Sequence, residues 1–229
     1  YSDYNRTIQL LSTLYDACKI ILGENHPATL SVLNDLANSY SGLGDYNTAL
    51  EMKNAVYNGR KKILGENHPD TLSSLLSLAN SYSDLGDYNK ACELQNLVYN
   101  VFKEILGKNH PDTLSALNNL GNSYFYLGDY NSALEIRNAV YNTRKENLDE
   151  DDPDTLRALA NLANTYSCLG DYNKAFELQN TVYNIQKEIL GENDLDTLLS
   201  LNNLAIFYSY LGDYNRTLEV ENRAYNALK

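Results

Sequence analysis

Cysteine is scarce. The 229 residues hold three, Cys18, Cys92 and Cys168, at unrelated places. An odd count without a CxxC pair excludes a disulfide framework and zinc-ligand spacing. It fits ordinary thiols in a reducing, cytoplasmic compartment. Long apolar runs are missing too: no stretch approaches the ~18 residues that a membrane-spanning helix needs. Basic residues are few, 18 Lys and Arg against 30 Asp and Glu, for a formal net charge of −12. Nucleic acid and anionic membrane are gripped by Lys and Arg, so neither is an expected partner. The same charge favours solubility. No Met opens the chain and no apolar leader follows Tyr1, as expected of an excised piece or a processed product.

Reactive motifs are absent as well. There is no phosphate-binding loop, no HExxH and no Ser/His/Asp set. His26, His68 and His110 occupy equivalent links, each directly before a proline. Stacked helix pairs lie about 10 Å apart, too far for shared metal ligation at ~2 Å. The sequence therefore offers no catalytic residue, metal or cofactor, and an enzyme is not expected.

What is present is repetition. Leu-Gly-Asp-Tyr-Asn stands at Leu43–Asn47, Leu85–Asn89, Leu127–Asn131, Leu169–Asn173 and Leu211–Asn215, a step of 42 residues that never slips. Asp3-Tyr4-Asn5 opens the chain in the same register. A fixed period of this length means one supersecondary unit stacked on copies of itself.

One repeat reads as two helices. Pro69 suits the first position of helix A, where a missing N–H costs nothing, and Asp70 faces the positive helix end. Leu72, Leu75, Leu78, Ala79, Tyr82 and Leu85 follow at steps of three and four, one buried stripe. Gly86 suits the left-handed residue that ends a helix, and Asp87 suits the N-cap of the next. Helix B, about Tyr88 to Leu106, is apolar on a wide arc, as a helix sandwiched between neighbours must be. Two helices and two turns fill the period and leave no room for a strand. Small residues recur at Ala37, Ala79, Gly121, Ala163 and Ala205 in helix A and at Ala49, Ala91, Ala133 and Ala175 in helix B, where they let helix backbones approach.

Leu-x-x-Leu-Ala-x-x-Tyr, with an Ala nine residues after that Tyr, resembles the tetratricopeptide repeat. Leu64–Leu72, Leu117–Gly121 and Gly128–Tyr130 are similar to the longer repeat of kinesin light chains. The resemblance covers nearly the whole chain. It implies an all-α, right-handed superhelical solenoid of antiparallel helix pairs, with helix A lining a concave side where that family binds peptides. Similar arrays also occur behind NB-ARC-type nucleotide-switch domains. The expected organisation is a single repeat domain, 1–229. A lone helix B spans 1–22, and pairs span 23–64, 65–106, 107–148, 149–190 and 191–229. The fourth link, Asp149-Glu150-Asp151-Asp152-Pro153, and Asp194-Leu195 in the fifth depart from the pattern.

Repeated residues form ladders. Seventeen of the 20 tyrosines fall on three ladders, those of Tyr40, Tyr4 and Tyr15. They are expected to pack between repeats, each hydroxyl finding a partner. Asn54 and Asn58 and their equivalents in helix B are expected to bond between units, since Asn is a poor helix former. Asn38, Asn80, Asn122 and Asn164, with Asn34, Asn118 and Asn202 one turn earlier, stand on the side that the resemblance assigns to the groove. An amide both donates and accepts, so such a row can grip an extended peptide backbone of any sequence. Phe125 and Tyr126 add off-pattern aromatics near the end of helix A. Domains of this family that clamp acidic tails pair such asparagines with lysine. Here Arg157 is the sole cation on that face. The expected function is a protein- or peptide-binding scaffold. The rival is the regulatory sensor array of a nucleotide-switch protein. The uncovered first and last helices also predict head-to-tail self-association.

Overall fold

The computed structural model describes the backbone of residues 2–227 and the side chains of residues 4–223. Within them the chain forms eleven helices and no strand. They are α1 (Ser2–Leu22), α2 (Pro27–Leu43), α3 (Tyr46–Leu64), α4 (Pro69–Asp84), α5 (Tyr88–Ile105), α6 (Pro111–Leu127), α7 (Tyr130–Asn147), α8 (Pro153–Cys168), α9 (Tyr172–Leu190), α10 (Leu195–Tyr210) and α11 (Tyr214–Ala227). Even-numbered helices are helix A of each repeat and odd-numbered ones helix B. The chain divides into two compact units, Tyr1–Leu127 and Gly128–Lys229. In each unit every helix packs on its neighbours in sequence, and in the first α4 also touches α6.

The repeated Leu-Gly-Asp makes the turn from helix A to helix B. Gly86 takes φ +82°, a value without steric cost only for glycine. Gly86 N then donates to Ser83 O, and Asp87 N to Tyr82 O, both at 2.9 Å. These bonds satisfy carbonyls that the end of α4 leaves open. The Asp87 carboxylate in turn accepts from Lys90 N at 3.0 Å, capping α5. Asp45, Asp129, Asp171 and Asp213 cap their helices in the same way, at 3.2, 3.1, 3.0 and 3.2 Å.

The opposite turn has its own cap. Nδ1 of His26, His68 and His110 accepts from the backbone N–H of Ala28, Asp70 and Asp112 at 3.2, 3.1 and 3.2 Å. So these imidazoles begin helix A just ahead of its proline. The departures in the fourth and fifth links keep the cap. Asp152 accepts from Asp154 N and Thr155 N at 2.8 and 3.3 Å, and Asp194 from Asp196 N at 2.9 Å.

Packing rests on aliphatic and small residues. In the first unit Leu72, Leu75, Leu78, Val98, Phe102 and Ala116 form one buried cluster. Each large member stabilises by roughly 1.5–3 kcal/mol relative to exposure. Ala37, Ala49, Ala79 and Ala91 are 0% exposed, as are Ala133, Ala163 and Ala175 in the second unit. Helix backbones therefore close up at those positions. Coupling from helix B to the next helix A uses one further repeated position. Arg60 donates to Asp70 O at 3.2 Å and Ser74 Oγ at 2.9 Å. Arg144 donates to Asp154 O at 2.8 Å. Phe102, in the equivalent place, buries its ring instead.

The tyrosine ladders sit at the margin of this core. Tyr40, Tyr82, Tyr124, Tyr166 and Tyr208 are half-buried, and Tyr183 alone among the described tyrosines is buried. The reason is the phenol: a hydroxyl that must stay wet keeps the ring at the surface of the stack. The helix B asparagines also differ from expectation. Asn58 bonds Asn54, and Asn100 bonds Asn96, each at 3.4 Å within one exposed helix turn. These are local pairs in competition with water.

The burial ranking orders the stability effects. Phe102→Ala should cost about 3–5 kcal/mol, and Tyr124→Ala clearly less. Urea unfolding of the two variants tests this, and a larger loss at Tyr124 contradicts the assignment of the core.

Candidate functional site

In the first unit α4, α5 and α6 enclose a recess of about 280 Å³. Asn80, Ser83 and Asp84 line it from the last turns of α4. Asn119, Asn122, Ser123 and Tyr126 line it from α6, and Gln95 forms its floor from α5. The helix periodicity explains the grouping: positions 119, 122, 123 and 126 lie on one face, at steps of three and four.

The floor is a small amide network. Gln95 is 1% exposed. Its Nε2 donates to Asn80 Oδ1 at 3.3 Å, and Asn119 Nδ2 donates to the same oxygen at 3.2 Å. Gln95 Oε1 is buried and has no hydrogen-bond partner among the described residues. Ser83 Oγ and Ser123 Oγ meet at 3.1 Å beside it. At the edge the Tyr126 ring stacks on Tyr88, with centroids 5.4 Å apart and planes at 18°, yet stays 64% exposed. One face of that ring is covered and the other is open. Phe125 packs edge-on against it at 5.6 Å. The second unit repeats the stack with Tyr172 and Tyr210, at 4.8 Å.

The structure thus brings three of the residues proposed from sequence, Asn80, Asn122 and Tyr126, around one recess. Asn118 is half-buried one turn earlier on α6, and Asn34 and Asn38 stand half-buried and exposed on α2. None of these three lines it. In the second unit Asn164 and Asn202 are exposed on α8 and α10. Arg157 edges a different recess and gives its guanidinium to the Asp154 carboxylate.

Sequence reasoning missed Gln95. It belongs to a ladder of long polar side chains in helix B, Lys53, Gln95, Arg137 and Gln179, which are 6, 1, 5 and 1% exposed. The signal was present: a polar residue every 42 positions, four after the invariantly small alanine and so on the buried arc. Arg137 donates to Asn161 O at 2.9 Å and Thr165 Oγ1 at 2.6 Å. Gln179 donates to Ser200 O at 3.3 Å. Lys53 has the harder position. Burial disfavours its ammonium and lowers its pKa from the ordinary 10.5, against the pull of the Asp84 carboxylate.

Comparison with known proteins agrees with this architecture. The profile described as Tetratricopeptide repeat matches residues 2–62, 43–91, 70–146, 114–188 and 154–229. The chain belongs to the tetratricopeptide-repeat family. This tetratricopeptide stack is similar to a solved Podosopora anserina kinesin-light-chain candidate with nearly identical TPR-like repeats. Identity is 27%, coverage 89% of this chain and 96% of that one, and the TM-score 0.78. BtubC (BKLC) from P. vanneervenii shares the fold at 18% identity, with 98% and 90% of the chains covered and a TM-score of 0.81. So does a Rap protein complexed with Competence and Sporulation Factor, at 11% identity, 96% and 63% covered, TM-score 0.68. No curated protein matches the chain significantly. Among the described residues of this tetratricopeptide array no helix is long and apolar enough to cross a membrane. No group of three or more His, Cys, Asp or Glu there is placed to hold a metal ion.

The lysine of the ladder carries a pH signature. A lysine whose folded pKa lies below its unfolded value binds fewer protons when folded, so its contribution to stability rises with pH between the two values. Lys53→Gln installs the ladder's own residue and removes that term. The variant's advantage over wild type should be largest at neutral pH and should shrink as the pH nears about 10. Tyrosine titration is common to both proteins and cancels in the difference. Urea melts of the pair across pH test this, and a difference that is flat with pH contradicts it.

Proposed function

We propose that this tetratricopeptide scaffold holds a segment of a partner protein in extended form, gripping its backbone at the amide recess of the first unit. The observation that supports the reading most is Gln95 Oε1, a buried acceptor without a partner among the described residues, set among amide and hydroxyl groups. A buried acceptor left unpaired costs about 1–3 kcal/mol, and a peptide N–H supplies what it lacks. The open face of Tyr126 takes an adjacent side chain. Asn34, Asn38 and Asn118 continue the amide-bearing face of helix A in the first unit, and Asn164 and Asn202 carry it in the second. Neutral amides give sequence-tolerant binding with little dependence on salt. The rival, a sensor array joined to a nucleotide-switch domain, would use the same stack as a conformational relay. No arrangement of the described residues favours it.

A peptide selected from a library on the whole chain supplies the probe. Asn122→Ala with Tyr126→Ala should weaken it about tenfold, roughly 1.4 kcal/mol, while the melting temperature moves by a few degrees. Isothermal titration reads both affinities, and an unchanged affinity places the binding elsewhere. Asn80 is unsuitable here, because its side chain also holds Gln95.

A second proposal, self-association, draws on apolar side chains left open on the first and last helices. Leu10, Leu14 and Ile21 form one stripe on α1, 64, 48 and 77% exposed, and Tyr214 and Leu218 on α11 are 66 and 59% exposed. Faces shaped for successive repeats fit head to tail in a heterologous contact. The net charge of −12 opposes contact, so association should strengthen as salt screens it. Light scattering that shows a monomer at high concentration in ~0.5 M salt, where charges are screened within roughly 4 Å, would rule this out.

A further inference from the structure

The second unit carries another recess, of about 740 Å³, between the first turns of α8 and α10 and the last turn of α9. Its making can be traced to three departures from the repeat. Position 160 is Ala, where the equivalent residues of the other helices A are Asn34, Leu76, Asn118 and Asn202. The short side chain opens the space. Position 199 is Leu, where the first three helices A have Ser31, Ser73 and Ser115. And the link ahead of α8 is Asp149-Glu150-Asp151-Asp152, where the first three units have Gly-Glu-Asn-His or Gly-Lys-Asn-His.

The result has an apolar floor and an acidic rim. Leu156 is buried beneath it, and Ile189, Leu190 and Leu199 lie in it while 50, 49 and 54% exposed. Large aliphatic side chains grouped in a cavity yet half open to water mark a surface that gains from being covered. Around them stand Asp149, Asp151, Asp152 and Asp196. Neighbouring charges are already matched: Glu150 pairs with Lys145, and Asp154 with Arg157 and Arg144. Asp152 spends its carboxylate on the α8 cap. Asp149, Asp151 and Asp196 have no cation partner among the described residues. Arg157, the one cation on the rim, is held by Asp154.

We infer that this recess receives a bulky apolar side chain of a partner polypeptide whose flanking residues are lysine or arginine. The volume is in the range of sites that enclose a compact ligand. The apolar floor selects the central side chain, and the unpaired carboxylates select the charge on either side. Charge complementarity of this kind steers encounter and rejects acidic segments. The inference does not rest on the amide recess of the first unit, which involves none of these residues.

The test uses the whole chain and three labelled peptides in fluorescence anisotropy: Lys-Arg-Leu-Phe-Lys-Arg, Glu-Glu-Leu-Phe-Glu-Glu and Lys-Arg-Gly-Ser-Lys-Arg. The first should bind at least about tenfold more tightly than either of the others. It should weaken severalfold between about 50 and about 300 mM salt as the screening length shortens. Ala160→Leu, which places in α8 the residue that α4 has at Leu76, should abolish the preference by filling the recess. Asp149→Asn with Asp196→Asn, both on the surface, should weaken the first peptide about tenfold by removing carboxylates. Asn122→Ala with Tyr126→Ala should leave it unchanged, which separates this site from the amide recess. Equal binding of the three peptides overturns the inference. So does undiminished binding of the first peptide by the double Asp variant, or by an Ala160→Leu protein that melts like wild type.

Discussion

A two-residue reversal governs this molecule. Helix A must hand over to helix B without a loop, because the 42-residue period is spent on helices of 14 to 21 residues and two short links. Glycine in the left-handed region turns the chain, and the next residue is aspartate. Asp87 closes α4 with its backbone N–H and opens α5 with its carboxylate. One residue thus serves both helix ends and leaves no slack between them. With the turn so tight, the helices lie side by side along their length. Alanines at zero exposure then become a requirement, since a larger side chain at the crossing would push the pair apart.

Within that frame the buried arc of helix B is not wholly apolar. Gln95, Arg137 and Gln179 place polar groups in buried positions, where they reach carbonyl, hydroxyl or amide partners on helix A, while Lys53 faces the field of the Asp84 carboxylate. Each such bond is worth about 0.5–1.5 kcal/mol net, less than good apolar packing at the same place. What it adds is direction: an amide or guanidinium bonds one neighbour at one height, whereas aliphatic stripes can slide. The position of Arg60 and Arg144 does the same for the first turn of the following helix A. Phe102 shows that the scaffold also accepts a purely apolar solution there.

The two recesses show how one repeat yields different surfaces. Each lies between successive helices A with helix B beneath. In the first unit amides, serines and Asp84 line it, and the buried Gln95 Oε1 has no hydrogen-bond partner among the described residues. In the second, a shortened side chain at Ala160, an aliphatic at Leu199 and an acidic link make a greasy floor under negative charge. The start of helix A is kept, although the fourth link loses the left-handed glycine that follows helix B in the other units. Asp152 and Asp194 keep the helix caps that His26, His68 and His110 supply elsewhere, so the links are free to change charge without moving a helix.

The period, the helix pairs, their caps and the small residues at the crossings were all legible in the chain itself. Each is a local property, decided within a few residues by the φ of a glycine, the reach of a carboxylate or the step of an apolar stripe. The family resemblance likewise rests on such local motifs. The asparagine rows were legible as rows, but their roles were not. Asn54 and Asn58 bond each other, Asn80 supports Gln95 from within, and Asn164 and Asn202 stand in water. The tyrosine ladders were legible too, yet they edge the core where a hydroxyl can remain hydrated. Gln95 and its ladder escaped notice because a polar side chain in an apolar arc reads as exposed until the packing of the next helix covers it. The recesses are tertiary in the same sense. Leu199 lies a repeat away from Asp149 and Ala160, and it shares their space only because α10 stacks beside α8.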